Sequence, residues 1–94
     1  GAGRELPQET VLEQNYPNPF NPQTVMQFTL HGETYVRLAV YDLLGREVAT
    51  LVDGVRQPGV HAVRWDASGL ASGVYLYRLR AGDELRTRSM MLVR

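Results

Sequence analysis

The chain has 94 residues, with ten arginines, no lysine, ten acidic side chains and no cysteine, for a formal net charge of zero. One domain of this size buries roughly 60–70% of the surface its unfolded chain exposes, so a two-layer core forms without staples. The missing cysteine excludes disulfides and thiolate metal sites, the balanced charge excludes a general pull toward nucleic acid or anionic lipid, and no apolar run approaches the ~20 residues of a membrane-spanning helix.

Residues 1–10 are polar and aperiodic and read as a linker, with Gly1-Ala2-Gly3 a cloning remnant or a linker end. No secretory signal opens the segment, which reads as excised from something longer. Leu6-Pro7-Gln8-Glu9-Thr10 departs from a sortase signal at Glu9, where that signal needs threonine. The domain is expected over residues 11–94. Val11 to Gln14 is a short first strand. Asn15-Tyr16-Pro17-Asn18-Pro19-Phe20-Asn21-Pro22 then holds three of the five prolines. Each proline fixes φ and lacks a ladder donor, and the residue before each is driven toward extended conformations. The stretch is a stiff loop, expected to brace the first strand against the rest, with Tyr16 and Phe20 both packed down.

Thr24 to Leu30 alternates, with Met26, Phe28 and Leu30 on one side and Gln27 and Thr29 on the other, which marks a half-buried strand. His31 to Thr34 turns the chain. Tyr35 to Asp42 alternates again. Asp42-Leu43-Leu44-Gly45 has an acid suited to open a turn and a glycine suited to the left-handed residue that ends it. Arg46 to Asp53 returns, and Val48, Leu51 and Val52 break strict alternation, which points to a bulge or an edge position. Gly54 to Gly59 reads as a loop. Val60 to Trp65 is the next strand, with Val63 and Trp65 inward and His61 beneath them. Asp66 to Gly73 is too long for a tight hairpin and reads as a connection between sheets. In Val74 to Arg80, Arg78 and Arg80 mark the wet face and Tyr75, Tyr77 and Leu79 face inward. Gly82-Asp83 turns into a last strand, Glu84 to Val93. There Arg86 and Arg88 are expected outward, so that Met90 and Leu92 stay inside only through a bulge or because both faces are covered. About seven antiparallel strands without helical period predict an all-β, immunoglobulin-like or fibronectin-like β-sandwich.

Residue chemistry points away from catalysis. His61, Asp66, Ser68 and Ser72 lack a nucleophile elbow and an oxyanion site. His31 and His61 have no ligand partner at metal spacing. Asp42, Asp53, Asp66, Asp83 and Glu84 are placed at strand ends, where oxygen ligands for calcium could gather, but match no calcium loop. Tyr16, Tyr35 and Tyr41 could stack on sugars, whereas Trp65 is assigned to the core. No catalytic, cofactor or metal residue is assigned.

The blocks Asn15–Pro22, Val40-Tyr-Asp-Leu-Leu-Gly-Arg-Glu-Val48, Gly59-Val-His61 leading to Trp65-Asp66, Leu70-Ala-Ser-Gly-Val-Tyr75 and Met90-Met-Leu-Val-Arg94 occur in order. Together they resemble the C-terminal sorting domain of the type IX secretion system. The resemblance covers Leu12 to Arg94. It departs at the end, where arginine replaces the lysine usual in that family. It implies a non-catalytic signal module at the end of an exported hydrolase or adhesin of a Bacteroidetes-type bacterium, crossing the periplasm to the cell surface or the extracellular space. The implied partners are outer-membrane secretion machinery, a sortase-like peptidase cutting before Leu12, and the upstream domain of the same chain. The domain itself is expected to be a monomer, without nucleic acid, cofactor or membrane span. A last strand ending at Arg94 fits a C-terminal signal. The sorting-signal candidates are Pro17, Asn18, Pro19, Phe20, Asn21, Pro22, Gly45, Gly73, Tyr75, Arg86, Arg88, Met90, Leu92 and Arg94. The basic last strand is expected to be read, and Pro17–Pro22 to hold the fold in shape. Less close are the immunoglobulin-like domain of a flagellar hook-capping protein, which lacks the proline-rich opening, and a carbohydrate-binding accessory module.

Overall fold

The computed structural model describes residues 9–94; most of the expected linker, and Leu6 to Gln8 of the sortase-like stretch, lie outside the described residues. Seven strands follow: β1 Val11–Leu12, β2 Gln23–Leu30, β3 Thr34–Tyr41, β4 Glu47–Arg56, β5 Gly59–Asp66, β6 Gly73–Ala81 and β7 Glu84–Leu92. They form a three-stranded sheet ordered β1-β2-β5 and a four-stranded sheet ordered β4-β3-β6-β7, with antiparallel pairing throughout. The chain changes sheet after β2, β4 and β5, and the two local hairpins both fall in the larger sheet. The sandwich is therefore the expected all-β architecture.

Period-two patterning builds the core. On β2, Thr24, Met26, Phe28 and Leu30 are buried, while Gln23 and Gln27 are exposed. Val36, Leu38 and Val40 of β3, with Tyr75, Tyr77 and Leu79 of β6, close it from the larger sheet. Trp65 packs between Phe20, with ring centroids 5.9 Å apart, and the edge of Tyr75 at 6.5 Å. His61 stacks on Phe28 at 5.1 Å, and its Nε2 lies 2.7 Å from the Gln57 carbonyl. This ring is thus a satisfied strand histidine.

Two tyrosine hydroxyls tie loops to β6. Tyr75 donates to the Ala71 carbonyl four residues upstream, at 2.7 Å, the geometry of the tyrosine corner found in immunoglobulin-type sandwiches. Tyr77, fully buried, accepts from the Asn15 backbone N–H at 2.8 Å and donates to the Glu13 carbonyl at 2.6 Å. Burial pushes its phenol pKa up. Tyr77→Phe strips both groups of their partner, and an orphaned buried amide costs about 1–3 kcal/mol. A loss in this range, read from the urea midpoint at unchanged slope, is the expected result.

Two details differ from expectation. β4 runs on to Arg56, because Val55 and Gly54 pair with Tyr35 and Val36, so the loop shrinks to Gln57-Pro58. The expected irregularity is present: β4 is an edge strand, and its register shifts between Leu38 and Ala39 and between Val40 and Tyr41. On β7, Arg86 and Arg88 lie in the same phase as Met90 and Leu92, opposite Leu79, Tyr77, Tyr75 and Gly73 in an unbroken register. They sit on the inner face, and neither a bulge nor a second covered face is needed. An arginine tolerates that phase at a sheet edge, where its stem lies along apolar surface and its head reaches out.

Candidate functional site

The proline-rich stretch and the last strand form one structure. Residues 10–20 run along the outer edge of β7 in the same direction as that strand. Arg86 Nε donates to the Thr10 carbonyl at 3.2 Å and Arg88 Nε to the Leu12 carbonyl at 2.6 Å. Gln14 Nε2 donates to the Ser89 carbonyl at 2.7 Å. Asn18 Oδ1 then accepts from the Met91 N–H at 3.0 Å. Phe20 makes a parallel bridge to Leu92: its N–H donates to Met91 O at 3.0 Å, and its carbonyl accepts from Val93 N–H at 2.9 Å. An uncovered strand edge is a template for unwanted pairing, and the backbone of this one has partners from Ser89 to Val93.

The brace is fastened from within as well. Asn15, only 2% exposed, gives Nδ2–H to Thr24 Oγ1 at 3.0 Å and to the Pro17 carbonyl at 3.1 Å, and Thr24 Oγ1 donates to that same carbonyl at 2.8 Å. Phe20 is 2% exposed and docks, as expected. Tyr16 does not. It is 81% exposed, because its backbone pairs with Val25 on β2 while its ring points to solvent. Pro17, Asn18, Pro19 and Asn21 are exposed and Pro22 is half-buried.

Most of the candidate signal residues gather at one end of the sandwich. There Pro17–Pro22 meet Gly73, which pairs with Leu92, and Tyr75, which pairs with Met90. Met90 and Leu92 are buried, whereas Arg94 donates from its backbone N–H to Ser72 Oγ at 3.1 Å and from Nη1 to the Leu70 carbonyl at 2.6 Å. Gly45 lies on the β3–β4 hairpin at the same end, with φ +86°, where the amides of Leu44 and Arg46 cap the Asp42 carboxylate. Arg86 lies toward the opposite end, near the Gly82-Asp83 turn, so the structure does not group it with the others. Thr10 and Gln14 are not among the signal candidates read from the sequence, and Asn15 enters there only as the first residue of the proline-rich stretch. Their only signal was position, beside a segment too stiff to hold itself in place.

The other constellations disperse. Asp66 accepts from its own turn, at the Ser68 N–H and hydroxyl, and His61 is held by Gln57 and Phe28. Asp53 lies within β4 and accepts from Tyr35, not at a strand end. Among the described residues no three acidic or histidine side chains are placed to hold a metal ion. Tyr35 and Tyr41 lie on the larger sheet and Tyr16 beside the smaller one, so they form no common platform. No helix is long and apolar enough to cross a membrane among the described residues.

Four surface carboxyls are held below their usual range by hydrogen bonds they accept: Asp42 from Arg46, Glu47 from Arg37, Asp66 from Ser68 and Glu84 from Thr10. A group with a depressed folded-state pKa stabilises fully above its unfolded value and loses that contribution as pH falls through the folded one. The melting temperature should therefore be flat from pH 7 to about 5 and fall below that. Glu84→Gln should shallow the acid limb, as followed by circular dichroism.

A family model described as "Secretion system C-terminal sorting domain" matches residues 14–93. A search of curated proteins gave no match. Among solved structures the chain is similar to PorZ of Porphyromonas gingivalis, described as an essential bacterial surface component of the type IX secretion system. The two are 19% identical at a TM-score of 0.58, over 90% of this chain and 11% of PorZ. This chain thus spans about a tenth of that protein, and the likeness is one of fold.

Proposed function

This chain belongs to the secretion system C-terminal sorting domain family, and we propose that it is the non-catalytic address of a larger exported protein. Its readers are the outer-membrane components of a type IX secretion system. The cargo is the upstream part of the same chain, a hydrolase or an adhesin, which passes through the periplasm and ends at the cell surface or outside the cell. A sortase-like peptidase would cut before Leu12, whose carbonyl the Arg88 clamp holds. The domain acts as a monomer.

The observation that carries this reading is the extent of the family match, which takes in both the brace and the strand it covers. In this reading Pro17–Pro22, Gly73, Tyr75, Met90 and Leu92 give the module its shape. Arg86 and Arg88 act as clamps rather than contacts, because their guanidinium Nε–H groups are already bonded to the Thr10 and Leu12 carbonyls. The test is a fusion of residues 1–94 to the C-terminus of a periplasmic reporter in a host with type IX secretion. Reporter activity at the cell surface or in the medium is expected. Full retention in the periplasm, with the fusion folded and intact, would overturn the proposal.

A further inference from the structure

We propose that the outer face of the four-stranded sheet, centred on Arg78 and Arg80, is the surface that docks an acidic patch of a protein in the export machinery. This rests on the sorting reading and adds where and how the module is held. The face can be mapped from the register. One row across it reads Asp53, Arg37, Arg80, Leu85; the next reads Thr50, Ala39, Arg78, Thr87; then come Tyr41, Leu76, Ser89, and finally Val74 and Met91.

Arg37 and Arg80 are directly opposite each other on neighbouring strands, an arrangement of like charges that weakens a sheet. Glu47 answers only one of them: Arg37 Nη2 lies 2.7 Å from both of its carboxylate oxygens. Arg80 and Arg78 make no ion pair or hydrogen bond through their side chains among the described residues. The other described arginines apart from Arg64 all do: Arg37, Arg46, Arg56, Arg86, Arg88 and Arg94 donate to carboxylates or carbonyls. Two exposed arginines, their backbone positions about 7 Å apart along one strand, therefore carry charge that no carboxylate or carbonyl among the described residues answers. The Arg78 guanidinium is also held in place, 5.2 Å from the centroid of the Tyr41 ring. A ring contact of this kind takes up none of the N–H donors, and an arginine N–H pair binds a carboxylate most specifically.

Beside the cations lies an apolar margin of Leu76 and Val74, half-buried, and Met91, 43% exposed. Cations flanked by methionine and aliphatic surface are the composition of a protein–protein contact. Two free guanidiniums on a chain of zero net charge are too few for a nucleic acid.

The test compares three forms of the reporter fusion: unaltered, Arg78→Glu/Arg80→Glu, and Arg64→Glu on the opposite sheet. Melting temperatures are measured first. Because the altered side chains are exposed, all three should agree within a few degrees, and Arg78→Gln/Arg80→Gln replaces the reversal if it does not fold. Export of the double variant should fall at least tenfold, with Arg64→Glu within twofold of the unaltered fusion. Equal export of all three would overturn the docking surface and leave the sorting reading intact, whereas no export of the unaltered fusion would overturn both. Two parallel measurements exclude other occupants. Retardation of the domain by alginate in affinity electrophoresis, lost in the double variant, would assign the face to an anionic glycan and overturn the proposal. So would a dimer in sedimentation that the double variant dissolves.

Discussion

Trp65→Ala is expected to destabilise the domain by about 3–5 kcal/mol, the range for truncating a buried aromatic. Trp65 is 7% exposed, and its ring packs against both the ring of the brace, at Phe20, and the ring of the tyrosine corner, at Tyr75. Alanine would leave a cavity where the two sheets and the brace converge, and a rigid sandwich closes such a void incompletely. A small domain has about 5–15 kcal/mol in total, so the variant gives up a substantial fraction of its stability. Urea denaturation followed by far-ultraviolet circular dichroism measures the loss. A change below about 1 kcal/mol would mean that the indole does not fill the core.

Phe20→Ala should cost a comparable amount, again about 3–5 kcal/mol, by a different route. The backbone bonds of residue 20 to Met91 and Val93 do not depend on its side chain. What goes is the peg that holds those bonds against the core, so residues 14–20 should exchange amide hydrogens faster while β2 and β6 stay protected. Phe20 and Trp65 are in contact, so the double variant should lose less than the sum of the two singles. The same variant separates shape from recognition. If the stretch only braces, the fusion should be exported normally at a temperature where the variant is folded. Lost export from a folded variant would make Phe20 a member of the contact itself.

Much of this was legible in the sequence, because strands on a half-buried sheet write their pattern with period two. β2, β5 and β6 follow it closely, and the Asp42–Gly45 turn is fixed by residue types that few other conformations want. The illegible features share a cause: they depend on what lies across a gap and not on local pattern. Arg86 and Arg88 look like solvent-facing residues, yet their phase is the core phase, and only the position of β1 beyond the edge explains them. Tyr16 and Phe20 are both aromatics in a stiff loop, and only the bridges of Tyr16 to Val25 and of Phe20 to Leu92 decide which ring goes in. The extension of β4 to Arg56 depends in the same way on its partner strand. The unneutralised guanidiniums of Arg78 and Arg80 became visible only once every other described arginine but Arg64 had found its acceptor.

The parallel run of residues 10–20 along β7 also has a mechanical meaning. Thr10 lies at one end of the sandwich and Arg94 at the other, about 30 Å apart along β7 at the rise of an extended strand. Tension between an upstream cargo and a held C-terminus would drag these two segments past each other along their length. The Arg86 and Arg88 clamps, the Gln14 and Asn18 contacts and the Phe20 bridge would then share the load together, in shear, rather than give way in turn like the teeth of a zipper. Resistance to such pulling is set by the rate of unfolding rather than by equilibrium stability. A module built this way can be hauled from either end while keeping its shape.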